Sequence, residues 1–271
     1  MRTGASLCAK GFVWCIGGTM DKVRAMNEHY LQGRDALVAG NVAEARDAFV
    51  EALRQEPGNI RARIGYAMSC QSLKDYERAV EAYGEVIQRA QQAVPAYEGR
   101  AACYVEMRKA ELALADAETV MRLAPSNTNC RYIRVRALKE LGRNDEAIAE
   151  SNALLGMDPE YFEVRFVRGT LFMARGEWDG AIQEFSIFLK FRPEDVNALR
   201  LRGVTALYAG LHERAAADFT EGMRIGGEDA NFLARRAQAL RALGRGEEAA
   251  RDTQRLFEIL DAKKNARTRE T

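Results

Sequence analysis

Along most of this chain apolar residues recur at spacings of three and four, the period of a helix with one buried face. The pattern is clearest in residues 162–195. Apolar or small residues fall at Phe162, Phe166, Gly169 and Leu171–Phe172. After a break at Gly176 they resume at Trp178, Ala181–Ile182, Phe185 and Phe188–Leu189. This predicts two helices, the first ended by Gly176 and the second stopped by Pro193. Alone, such a hairpin buries neither apolar face completely, so it needs copies of itself on either side.

The copies are present. Steps of 34 residues from Ala181 reach Ala45, Ala79, Ala113, Ala147, Ala215 and Ala249, without a gap. A second small-residue column reads Gly33, Ala67, Ala101, Val135, Gly169, Gly203, Ala237. The inter-helix break reads Gly40, Lys74, Arg108, Gly142, Gly176, Gly210, Gly244. The stop column reads Pro57, Gln91, Pro125, Pro159, Pro193, Gly227, Asp261, and a bulkier column reads Phe49, Tyr83, Ala117, Ser151, Phe185, Phe219, Thr253.

Five repeats carry Arg one place before the small column, at Arg100, Arg134, Arg168, Arg202 and Arg236. The same five carry an acid sixteen residues later, at Asp116, Glu150, Glu184, Asp218 and Asp252. The first two repeats lack both, with Gln32 and Ala48, then Tyr66 and Ala82. Joint gain and loss predicts that each Arg grips its own acid across the hairpin, because a partly buried guanidinium prefers a carboxylate it can hold with two donors.

With its 34-residue period, two small columns, aromatic column and terminal Pro, the chain resembles the tetratricopeptide repeat family. The resemblance covers seven repeats: 26–59, 60–93, 94–127, 128–161, 162–195, 196–229 and 230–263. It implies an all-α fold, a right-handed superhelical solenoid of antiparallel helix pairs. Residues 1–25 would be a leader and 264–271 a charged tail.

The resemblance also implies where function sits: the concave wall built from the first helix of each repeat. At the family's ligand-facing places, repeats 4–6 supply Tyr132, Ile133, Arg136, Phe166, Val167, Thr170, Met173, Arg200, Leu201, Val204, Leu207 and Tyr208. Aromatic anchors with an arginine rim suit a partner segment with apolar anchors and some acidic character. The rim would also include Lys139, Arg235 and Arg241. The family's clamp for chaperone tails needs Lys and Asn at the fifth and ninth places, then Asn, then Lys and Arg in successive repeats. No three repeats supply it; repeat 5 offers Phe166 and Thr170, followed by Leu201, Asn231 and Arg235. The resulting expectation is a non-catalytic scaffold or adaptor. The alternative is a co-chaperone holding unfolded client segments in the same groove.

Composition changes this picture little. A formal net charge of +1 gives no reason to expect a nucleic-acid partner or a membrane surface. The apolar run 11–18 is too short to span a bilayer, so no membrane insertion is expected. The five cysteines have no metal-like spacing, which suggests free thiols in the cytoplasm. A mitochondrial location is the alternative if the basic, acid-free N-terminal stretch is a targeting peptide. No catalytic motif, metal site or cofactor is expected around the two histidines, His29 and His212. The last repeat presents Leu256, Phe257, Ile259 and Leu260, an apolar face that suggests possible self-association.

Overall fold

The computed structural model describes residues 28–267, and the expected leader lies outside them. The described residues form helices and no strand. The first seven helices are α1 (28–38), α2 (Val42–Gln55), α3 (Ile60–Ser72), α4 (Tyr76–Arg89), α5 (Val94–Glu106), α6 (Ala110–Leu123) and α7 (Thr128–Glu140). The rest are α8 (Asn144–Met157), α9 (Phe162–Arg175), α10 (Trp178–Phe191), α11 (Val196–Tyr208), α12 (His212–Gly226), α13 (Ala230–Ala242) and α14 (Gly246–Arg267). This is the expected all-α solenoid of helix pairs. Helix α14 carries on through 264–267, the first half of the stretch expected as a charged tail.

The chain divides into two compact units between Leu141 and Gly142. In the first unit each helix from α2 to α6 packs on the next, and α5 also touches α3 and α7. In the second, α8 to α14 pack in sequence, and α11 also touches α9 and α13. First helices therefore lie beside first helices within each unit, which is the arrangement a ligand wall requires.

The turn inside each hairpin explains the break column. All seven of its residues adopt positive φ, including the non-glycines Lys74 (63°) and Arg108 (56°). In the clearest repeat Gly176 N–H bonds Met173 O at 3.0 Å and Glu177 N–H bonds Phe172 O at 2.9 Å, satisfying carbonyls at the helix end. Between repeats, Asn59, Asn127 and Asp195 cap the following helices through the N–H groups of Ala62, Cys130 and Ala198.

The alanine column sits at zero exposure at six of its seven positions, with Ala249 at 1%. The bulky and small columns meet each other. Phe49, Phe185 and Phe219 are buried against Gly33, Gly169 and Gly203, where a Cβ would lie 2.7–2.8 Å from a ring carbon. Removing apolar area from water at roughly 25 cal/mol per Å² makes these rings the main anchors of each hairpin.

Candidate functional site

The wall residues differ sharply in what they present. Ile133, Val167 and Val204 are only 6–7% exposed, so they belong to the core. Phe166 is half-buried, meeting Phe185 edge-on at 5.7 Å and Phe188 at 5.2 Å between ring centres. Met173 and Leu207 pack against the core formed by α10 to α14. Leu201 is half-buried, as is Thr170, whose hydroxyl donates back to Val167 O at 2.7 Å. Tyr208 is the exception: the residue is 63% exposed, and its ring stacks on Trp178 at 5.1 Å with 16° between the planes.

Trp178 was legible in the sequence only as an apolar position of α10. Its partner Tyr208 ends α11, thirty residues later. No helical period links the two. The indole lies over the turn at Gly176, where a Cβ would be in ordinary contact with it at 3.7 Å.

The basic rim divides into engaged and available groups. In the first unit Arg136 donates to Glu106 at 2.8 Å and lies 6.0 Å from the centre of the Tyr132 ring. In the second unit Arg200 reaches only the Asn197 side-chain oxygen, at 2.6 Å, and Arg241 only the Thr253 hydroxyl, at 2.7 Å. Arg235 has no side-chain partner among the described residues. Among the described residues no carboxylate forms an ion pair with these three cations on α11 and α13.

The repeat arginines behave otherwise. Arg100, Arg202 and Arg236 each hold their acids, Asp116, Asp218 and Asp252, with two nitrogens at 2.6–2.9 Å. Arg168 reaches Glu184 at 2.6 Å and Asn152 at 2.6 Å. Four of the five expected pairs thus form inside single units, and they serve the scaffold.

Other apolar residues stand exposed. On the first unit's wall they are Leu31, Val38 and Met68; on α14 they are Phe257 and Leu260, while Leu256 and Ile259 turn toward the core. Three cysteines, Cys70, Cys103 and Cys130, are buried free thiols. Among the described residues no group of three or more His, Cys, Asp or Glu is arranged to hold a metal ion, and no helix is long and apolar enough to cross a membrane.

Family profiles described as tetratricopeptide repeat match residues 36–103, 132–196 and 166–227. No curated protein matches by sequence. A tetratricopeptide repeat protein from Parabacteroides merdae is 20% identical, covering 87% of this chain and 93% of its own, with a TM-score of 0.65. PilF of Pseudomonas aeruginosa is 16% identical, covering 80% and 99%, with a TM-score of 0.68. YrrB, a repeat protein of this kind with an unusual peptide-binding site, is 22% identical, covering 69% and 97%, with a TM-score of 0.54. At such identities the likeness is one of fold.

Proposed function

Because this chain belongs to the tetratricopeptide repeat family, whose members generally act as non-catalytic interaction scaffolds, we propose that it is an adaptor holding one protein segment against its first-helix wall. The observation that carries this reading is the exposed Tyr208 ring stacked on Trp178. Arg200, Arg235 and Arg241 lie on the same first-helix wall, on α11 and α13, without carboxylate partners among the described residues. A rigid aromatic presents much contact area at little entropic cost, and an unneutralised arginine favours an acidic partner.

The contact set in this reading centres on Phe166, Thr170, Met173, Arg200, Leu201, Leu207 and Tyr208. Tyr132 and Arg136 occupy the same register places in the other unit. Val167, Val204 and Ile133 support the wall from beneath. The buried free thiols support a reducing compartment, the cytoplasm. Phe257 and Leu260 support a self-association surface on α14; changing Phe257 to Glu would then lower the mass measured by sedimentation.

The test is affinity capture from cells, followed by titration of the recovered partner's segment as a synthetic peptide. A single stoichiometric partner is expected, with affinity at least about tenfold weaker for Tyr208→Arg and no change in thermal midpoint. Equal affinity for wild type, Tyr208→Arg and an Arg200→Glu/Arg235→Glu double variant would sink the proposal. Suppressed aggregation of many unrelated denatured proteins, with no stoichiometric partner, would favour the co-chaperone alternative instead.

A further inference from the structure

Beside the Trp178–Tyr208 stack lies a recess of about 430 Å³, lined by Gly176, Glu177, Trp178, Asp179, Gly180 and Ala209. One wall is indole. The others bring acid: Asp179 has no side-chain partner among the described residues, and Glu177 shares Arg175 with Asp145, at 2.8 and 2.9 Å. Two carboxylates, Glu177 and Asp179, therefore line the recess, and the one guanidinium beside them, Arg175, is shared with Asp145 outside it. An aromatic face attracts a cation through its quadrupole, and uncompensated carboxylates add direct attraction.

We propose that this recess takes a cationic side chain, the guanidinium or ammonium group of an Arg or Lys in the bound segment. The cation lies against the indole of Trp178 and is neutralised by Asp179 and Glu177. This rests on the adaptor reading above and adds a direction to it. Arg200 precedes Tyr208 by eight residues on α11, about 12 Å along the axis at roughly 1.5 Å per residue. An extended segment covers that distance with about four residues at roughly 3.3 Å each. The partner segment thus carries an acidic residue over Arg200 and a basic residue about four positions away over the recess, with apolar side chains between them against Leu201 and Leu207.

The experiment uses the full chain, isotope-labelled at tryptophan, with Trp14→Phe so that Trp178 gives the one indole N–H signal. The probe is N-acetyl-arginine methylamide, with the leucine and aspartate derivatives as controls. A saturable shift with the arginine probe alone is expected, weakened about threefold or more by Asp179→Asn or Glu177→Gln and by about 0.5 M salt. An equal shift from the leucine probe would overturn the proposal. So would an arginine titration indifferent to both substitutions in variants of unchanged thermal midpoint. The probe has no apolar anchor, so it reads the recess even if the wall binds no segment. Peptide binding that survives with a silent recess would leave the adaptor reading standing alone.

Discussion

Arg202 on α11 holds Asp218 on α12 with two nitrogens, at 2.9 and 2.6 Å, while its remaining nitrogen reaches the Ser186 hydroxyl on α10, 3.2 Å away. One side chain thus ties both helices of its own hairpin to the second helix of the preceding one. Arg236 repeats the arrangement with Asp252 and Thr220; Arg168 spans the corresponding three helices with one nitrogen on Glu184 and one on Asn152. In a solenoid, stability resides in such neighbour contacts.

Arg202→Ala leaves the Asp218 carboxylate, 4% exposed, without its counter-charge. A loss of about 3 kcal/mol is expected, because a buried charge stripped of its partner bears its full desolvation cost. Arg202→Lys restores the charge but not the fork, so it recovers only part of the loss. Urea denaturation of the two variants checks the order.

At Lys74 and Arg108 the left-handed turn is occupied by residues with a Cβ. Lys74→Gly and Arg108→Gly each remove a conformational cost of about 1 kcal/mol. The exposed Arg108–Glu140 pair at 3.7 Å offsets little of that. Both variants are expected to melt higher, and a lower midpoint for either would contradict the strain argument.

Gly169→Ala tests the opposite sign. In a solvated helix this change gains about 1 kcal/mol. Here the new methyl would lie 2.8 Å from the Phe185 ring, which is fully buried. A net loss of about 1–3 kcal/mol is expected from overpacking. Combining it with Phe185→Leu should cost less than the two single losses together, which chemical denaturation of the set measures.

Phe166 and Tyr208 separate folding from binding. Phe166→Ser removes a ring packed on Phe185 and Phe188, and about 2–4 kcal/mol of stability with it. Tyr208→Ser removes mostly exposed surface, and about 1 kcal/mol or less is expected. Thermal melts of both variants, run beside the peptide titration, show whether the second change acts on binding alone.

Burial pushes the thiols of Cys103 and Cys130 up to about 12 from an ordinary value near 9. In the unfolded chain these thiols ionise as pH passes 9, while in the folded chain they stay protonated up to about 12. Their contribution to stability is therefore complete below pH 9 and is lost progressively between the two values. In a Cys8→Ser/Cys15→Ser background, iodoacetamide at pH 8 should leave the native chain unlabelled and label it on unfolding. Rapid labelling of the native chain would refute the burial.

The sequence by itself determined the repeat. Helix period, alanine column, inter-helix breaks and the arginine–acid pairing are all local to one hairpin, where fixed spacing sets which side chains meet. Part of the candidate site was legible too, since the family resemblance placed Tyr208 and Arg200 on the wall. Two further facts needed packed neighbours. Val167 and Val204 hold wall places in register yet are buried, because adjoining helices close over them. Arg63, Arg131 and Arg165 donate to the carbonyls of Pro57, Pro125 and Pro159, in the turns after the preceding helices, whose need for a donor no apolar pattern records. The tertiary structure alone decided that Trp178 and Tyr208 stack. They come from different repeats, and only the packing of α10 on α11 fixes their separation. Periodicity says which face of a helix is apolar; how much of that face a neighbour covers depends on where the neighbour lies.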